Sequence, residues 1–121
     1  MILALGGIAE MESILNSIKK ALGPDDSYQQ FDPELIMFIN TVFGILFQLG
    51  VGPKDHPFKI TGANETWDQF KTNNEIETVK SYVFIKVKLL FDPPSSSFVL
   101  ASYKELAQEF EWRCNVDSET P

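Results

Sequence analysis

Apolar side chains recur at helical spacing in four stretches of the chain, and segments rich in glycine, proline or polar residues separate them. In the first stretch, from Met11 to Leu22, the apolar positions lie three or four residues apart, and the lysines fall elsewhere around the helix. Gly23-Pro24 provides the expected helix end. We therefore predict a first helix over about residues 11–22.

The second stretch is the most apolar part of the chain. Asp32-Pro33-Glu34 marks its start, because Asp32 can cap free backbone amides and proline suits the first helical turn. Its apolar seam comprises Leu35, Ile39, Val42, Leu46 and Leu49. No charged residue lies between Glu34 and Lys54. A helix so apolar on every side is predicted to lie in the centre of the core or between subunits.

The third helix is predicted from about residue 74 to residue 91, after a less regular segment of residues 50–74. In that segment Trp67 and Phe70 would share one face of a single helical turn, and we expect them to pin the segment to the core. One apolar face of the third helix contains Ile76, Val79, Val83, Val87 and Leu90. The opposite face contains Tyr82, Ile85 and Leu89. We predict that this second face contacts a neighbouring subunit, with contact to the long loop of the same chain as the open alternative.

The fourth helix is predicted after the break at Asp92-Pro93-Pro94. Its inner seam is predicted to contain Val99, Tyr103, Leu106, Phe110 and Cys114, with Glu111 among the residues facing solvent. Trp112 projects away from that seam, and a tryptophan on a charged face indicates a binding contact. The sequence thus predicts an all-α fold, a small four-helix bundle with a long irregular loop between helices two and three.

Composition and charge narrow the possible functions. The 121 residues suit one domain, and 10 basic against 17 acidic residues give a net charge of −7. Such a chain lacks the basic surface that drives binding to phosphates of nucleic acids, and it is not expected at anionic membranes. With one histidine, His56, and one cysteine, Cys114, it offers neither an ordinary zinc site nor a Cys–His catalytic pair. We expect no enzyme activity and no cofactor.

Five short phrases follow one another in a recognisable order. They are Phe31-Asp32-Pro33-Glu34-Leu35-Ile36, Gln48-Leu49-Gly50-Val51-Gly52-Pro53, Thr66-Trp67-Asp68-Gln69-Phe70, Leu89-Leu90-Phe91-Asp92-Pro93-Pro94-Ser95-Ser96-Ser97 and Glu111-Trp112-Arg113-Cys114-Asn115-Val116. Together they resemble the head–tail connector, or adaptor, proteins of long-tailed double-stranded DNA phages of Gram-positive bacteria. The resemblance extends from about Met11 to Val116, and residues 1–10 depart from it.

The resemblance implies a helical subunit that assembles into a dodecameric ring beneath the portal protein. The far side of such a ring receives the stopper, or head-completion, protein, and DNA passes through the channel without sequence-specific binding. Carried onto this sequence, the portal-docking residues are Trp112, Arg113, Asn115 and Val116. The expected location is the neck of the virion, and the host cytoplasm during assembly.

The expected domain organisation has three parts: an N-terminal extension of residues 1–10, a helical adaptor domain of residues 11–116 and a flexible acidic tail of residues 117–121. A ring subunit needs two complementary and non-identical patches, one for each neighbour. The alternative function is a monomeric or dimeric helical protein-binding module without catalytic activity, for which one patch is sufficient.

Overall fold

A computed structural model of the chain describes residues 11–23 and 29–119, without the side chains of residues 115–119. Its helices are α1 (Ile14–Leu22), α2 (Asp32–Gln48), α3 (Ile76–Phe91) and α4 (Ser97–Glu119), with a short 3-10 helix at Trp67–Gln69. The described residues contain no β-strand, only an isolated bridge between Ser13 and Thr66. The prediction of an all-α fold with four helices is confirmed. The predicted extension at residues 1–10 and the last two residues of the predicted tail lie outside the described residues.

The third helix is the central element, because α3 packs against each of the other three helices. Its buried face comprises Val79, Tyr82, Val83 and Val87. The seam predicted for α2 is buried at Leu35, Ile39, Val42 and Leu46. These residues belong to one continuous core that also includes Ile14, Leu15 and Ile18 of α1.

The joint between α1 and α2 corrects one prediction. Asp32 does not cap α2, because Phe31 occupies the cap position and no side chain there bonds the free amides. The Asp32 carboxylate instead lies 2.9 Å from the ammonium of Lys19, near the end of α1. Lys19 is only 7% exposed, so its charge needs a partner in this position. The aspartate therefore stabilises the packing of two helices and not the start of one.

An aromatic cluster holds residues 49–75, the segment between α2 and α3, against α2. The ring of Phe43 on α2 lies 5.3 Å from that of Phe58, 6.3 Å from that of Trp67 and 5.2 Å from that of Phe70. Trp67 and Phe70 are 1% and 3% exposed, which confirms that they pin the segment to the core. The indole N–H of Trp67 also donates a hydrogen bond to Ser17 Oγ on α1 at 2.9 Å.

The side chain of Asn40 fixes the same segment through polar contacts. Its amide group donates to the carbonyl oxygen of Ile60 at 2.9 Å and accepts the N–H of Ile60 at 2.8 Å. Ile60 is 1% exposed, and both of its backbone polar groups would otherwise lack a partner away from water. Much of the surplus apolar width of α2 is therefore covered by the chain itself and not by a neighbouring subunit.

Gly52 provides a test of how closely the segment packs on α2. Its φ is +99°, and a Cβ placed there would lie 2.6 Å from the ring of Phe70. Gly52→Ala is expected to lower the free energy of unfolding by about 2–4 kcal/mol, from backbone strain together with overpacking. Urea denaturation followed by circular dichroism measures this difference.

The matched control is Gly50→Ala, because Gly50 also has a positive φ, +82°, but nothing lies within 4 Å of its added Cβ. It should lower the free energy of unfolding by only about 1–2 kcal/mol. Equal losses in the two variants would show that the Phe70 ring moves aside freely.

Candidate interaction surface

Helix α4 packs on α3 through aromatic stacking combined with partly buried polar groups. The rings of Tyr82 and Phe110 are stacked, with centroids 4.4 Å apart and planes inclined by 21°. The Tyr82 hydroxyl donates a hydrogen bond to Glu111 Oε2 at 2.6 Å, and Lys86 Nζ lies 3.4 Å from the same oxygen. Among the described side chains of α4, those of Ala107 and Cys114 are buried, at 4% and 5% exposure.

These contacts correct the inner seam predicted for α4. Phe110 and Cys114 face inward as predicted, but Leu106 is 51% exposed and Val99 is 37% exposed. Glu111, predicted to face solvent, lies against α3. The helix is rotated relative to its apolar seam because the small side chain of Ala107 permits close approach and the Tyr82–Glu111 hydrogen bond fixes the angle. The rotation exposes Leu106 on the outer side of the bundle.

Tyr82 is a neutral hydrogen-bond donor throughout the physiological pH range. Burial raises the pKa of Tyr82 well above its usual value, and the hydrogen bond to Glu111 and the negative charge of that carboxylate raise the pKa further. Ionising this tyrosine would place two negative charges side by side in a partly buried contact. The hydrogen bond between α3 and α4 therefore depends on the protonated phenol.

A groove of about 500 Å³ opens between α3 and α4. It is lined by Thr78, Ser81, Tyr82, Ile85, Leu106, Glu109, Phe110 and Arg113. Two further apolar residues of α4, Val99 and Phe98, are exposed nearer the start of the helix than Leu106, and Phe98 is 78% exposed. The groove and these two residues are called the α3–α4 surface below. Its chemistry, apolar side chains bordered by the Glu109–Arg113 ion pair, is suited to contact with another protein.

The residues predicted for subunit contact occupy different positions on this surface. Tyr82 is only 2% exposed and is covered by α4 of its own chain, although it lines the bottom of the groove. Ile85 is half-buried and lines the groove. Leu89 is half-buried one helical turn further along α3 and outside the lining. Their role in subunit contact stays a prediction.

Sequence reasoning did not assign Leu106 and Phe98 to this surface. Leu106 fits the apolar seam of α4 as well as Phe110 does, so spacing alone placed it inside. Phe98 lies directly after the serine run at Ser95–Ser97 and outside that seam, and this offset is the signal that marks it as exposed. The rotation of α4 brings Leu106 to the outer face.

The residues predicted for portal docking lie in the C-terminal half of α4. Trp112 is 65% exposed, and Arg113 is exposed and paired with Glu109 at 2.6 Å. The side chains of Asn115 and Val116 lie outside the described residues. Trp112 follows Phe98 by 14 positions on α4, which corresponds to about 21 Å along the helix axis. The two exposed aromatic residues therefore mark distinct areas of one helix.

The described parts of the chain offer little for other kinds of site. No group of three or more histidine, cysteine, aspartate or glutamate residues in residues 11–23 and 29–119 is arranged to hold a metal ion. Among the same residues, no helix combines the length and the apolar character needed to cross a membrane. The α3–α4 surface and the exposed end of α4 are thus the features to be explained.

Comparison with known proteins gives one match. The family described as "Phage connector protein" matches residues 14–121, a range that begins at the first residue of α1 and includes all four helices. No curated protein and no solved structure matches the chain.

The Tyr82–Glu111 hydrogen bond makes a prediction about stability and pH. Tyr82→Phe is expected to lower the free energy of unfolding at neutral pH by about 1.5–3 kcal/mol, because the bond is made to a charged group. Since the pKa of Tyr82 is raised by folding, the stability that it contributes is complete below about pH 10, the pKa of an unfolded tyrosine, and is lost as the pH rises above that value. The wild type should therefore lose more stability than the variant between about pH 9 and pH 11.

Urea unfolding at pH 7, 9 and 11 measures both effects. Tyr103→Phe is the control for loss of a hydroxyl, because the Tyr103 hydroxyl makes no hydrogen bond to a described residue. It should change the free energy of unfolding at pH 7 by no more than about 0.5 kcal/mol. The same alkaline loss in the wild type and in Tyr82→Phe would contradict the role assigned to the phenol.

Proposed function

Because the chain belongs to the phage connector protein family, we propose that it is an adaptor subunit whose ring joins the portal to the stopper, or head-completion, protein in the neck of a long-tailed phage. The observation that carries this proposal is the α3–α4 surface. It leaves Phe98 and Leu106 exposed, at 78% and 51%, on a chain that has already closed its own core. Exposed apolar residues grouped in this way mark a surface that another protein covers.

A ring needs a second patch that differs from the first, and the outer strip of α2 has suitable properties. Met37, Thr41 and Gln48 are exposed on the side of α2 opposite its buried seam, and Met37 is 56% exposed. No charged residue occurs in α2 after Glu34. In the proposed ring, the α3–α4 surface of one subunit meets this α2 strip of the next.

The remaining parts of the proposal follow from the resemblance and from charge. The resemblance implies twelve subunits in the ring, a phage of Gram-positive bacteria, and assembly in the host cytoplasm. The net charge of −7 favours a channel through which DNA passes without being held, because the subunit repels phosphate more than it binds it. The role proposed is structural, without catalysis and without a cofactor.

For portal docking we propose the C-terminal half of α4, with Trp112 and Arg113 as its described members and Asn115 and Val116 following them. Trp112 supports this assignment because a tryptophan that is 65% exposed on a charged helix contributes little to its own fold. Tryptophan and arginine are also enriched among residues that dominate binding energy.

The mass of the purified protein, alone and mixed with the portal of its virion, tests ring assembly. Native mass spectrometry or light scattering should show a ring, either free or bound to the portal. Leu106→Lys is expected to abolish the ring while leaving a folded monomer, because it places a charge on an exposed apolar surface. Leu90→Lys is the control, since Leu90 is 47% exposed but lies outside the α3–α4 surface.

Two results would argue against the ring. A wild-type monomer that ignores the portal would favour the monomeric or dimeric binding module, which needs the α3–α4 surface alone. Assembly of Leu106→Lys with the wild-type mass would show that this surface faces solvent in the ring.

Trp112→Ala tests portal docking separately. It should weaken binding to the portal by about 30-fold or more, as expected for a central tryptophan of an interface. Biolayer interferometry with immobilised portal measures the affinity, and circular dichroism checks the fold. Leu90→Ala, which also removes an exposed apolar side chain, should bind as the wild type does. Unchanged binding of Trp112→Ala would remove α4 from the portal contact.

A further inference from the structure

The basic residues of this acidic chain differ in whether they form ion pairs with described residues. Five of its ten basic residues form ion pairs, namely Lys19, Lys80, Lys86, Lys88 and Arg113. The other five make no ion pair with a described residue, and they are Lys20, Lys54, Lys59, Lys71 and Lys104. The charges of these five lysines are therefore not neutralised by a carboxylate of the described residues.

Two of these lysines lie in one groove. Lys54 and Lys71 line a depression of about 480 Å³ together with Thr72, Asn73 and Asn74, which we call the basic groove. Its other wall is the turn after α2, which contains Gly50 and Gly52. The lining offers ammonium and amide donors, and it contains no carboxylate. Such donors fit a ligand that carries carboxylates.

The two lysines are brought together by the packing around Phe70. Lys71 directly follows Phe70, whose ring is packed against Phe43 in the aromatic cluster. Lys54 comes two residues after Gly52. A Cβ added to Gly52 would collide with the same Phe70 ring, so the two residues are close. Although the lysine side chains are exposed, their backbone positions are therefore fixed relative to each other.

Acidic residues of the same segment do not neutralise the basic groove. The Glu65 carboxylate accepts hydrogen bonds from the N–H and hydroxyl of Thr61 and from the N–H of Gly62. The Asp68 carboxylate accepts one from the hydroxyl of Thr66. Asp55 directly follows Lys54, and Glu75 directly follows Asn74, but neither residue lines the groove.

The position of the basic groove indicates its partner. An adjoining depression shares Lys54, Asn73 and Asn74 with it and is also lined by Cys114 of α4. Cys114 follows Trp112 and Arg113 by two residues or fewer, so the basic groove lies at the end of the subunit that is proposed to face the portal. We propose that it binds a segment of the portal protein that carries aspartate or glutamate side chains. This inference rests on the proposed function, because it places a second portal contact at the same end of the subunit, on a different side of α4 from Trp112.

Charge favours a protein carboxylate over DNA as the ligand. The groove has two lysines, whereas the chain as a whole carries a net charge of −7 and repels a phosphate backbone. A short acidic segment carries few negative charges and contacts only the groove, so it meets less of that repulsion than a DNA duplex does. Ion pairs at such a surface raise the association rate and set the orientation of docking more than they raise affinity.

The test compares two double variants of the full-length protein on immobilised portal from the same virion, at 50, 150 and 300 mM NaCl. Lys54→Gln with Lys71→Gln removes the basic groove charges, and Lys59→Gln with Lys104→Gln is the control. Each variant has a net charge of −9, since two positive charges are removed from a chain at −7. We expect the groove variant to bind about tenfold more weakly than the control at 50 mM NaCl, with the difference shrinking as salt rises. Thermal unfolding should be alike in both.

The possible outcomes separate this inference from the function on which it rests. If the two variants have equal affinity and equal salt dependence, the role proposed for the basic groove is wrong, while docking through Trp112 would stand. Failure of the wild type to bind the portal would contradict both the role of the basic groove and the proposed portal docking. Loss of ring mass in the groove variant with unchanged portal affinity would assign the groove to a neighbouring subunit. A shift of duplex DNA by the wild type that the groove variant lacks, with portal binding unchanged, would assign it to DNA.

Discussion

The packing of Phe58, Trp67 and Phe70 around Phe43 determines most of the other features of this subunit. Each such aromatic pair contributes about 0.5–1.5 kcal/mol beyond the area that it buries, and here the pairs attach a segment of irregular backbone to an apolar helix. Because the segment covers one side of α2, that side is not available to a neighbour. The same packing sets the close approach of Gly52 to Phe70 and places Lys54 beside Lys71. Local closure of the core and the position of a surface groove thus have a common cause.

Helix α4 is attached by a different kind of contact, and its outer face follows from that difference. Its fully buried residues are small, and its orientation is set by the stacking of Tyr82 on Phe110 and by the Tyr82–Glu111 hydrogen bond. A helix that used Leu106 and Val99 as its inner seam would bury more apolar area but would leave the Tyr82 hydroxyl without a partner. An unpartnered buried hydroxyl costs about 1–3 kcal/mol, which is comparable to the roughly 1.5–3 kcal/mol gained by fully burying a leucine side chain. The structure accordingly keeps the polar contact and exposes Leu106.

The same comparison explains which parts could be predicted from the sequence. Local spacing and turn residues determine where two helices stop, at Gly23 and Asp92. They also determine the seam of α2 and the burial of Trp67 and Phe70. These features were predicted correctly. The rotation of α4 and the pairing of Asp32 with Lys19 depend on single polar contacts between distant residues, which no periodicity records. For the two candidate contact areas, the pattern identified Ile85 and Trp112. The exposure of Leu106 required the observed rotation of α4, whereas the exposure of Phe98 could have been inferred from its offset from the seam. The basic groove joins residues 17 positions apart through packing, so spacing did not indicate it.

One hydrogen bond therefore controls both areas of α4 that are proposed to contact partners. The helix has 23 residues, about 34 Å of continuous axis, and it packs mainly on α3. A rotation about that axis would move Leu106 and Trp112 together, since both side chains are carried by the same rigid element. A purely apolar seam permits several neighbouring rotations at similar free energy, because burial is not directional. The bond from Tyr82 to Glu111, with Lys86 beside it, requires one geometry and so selects a single rotation. The polar contact thus contributes to this subunit chiefly by defining where its exposed residues point, and its modest stabilisation of the fold is the smaller effect.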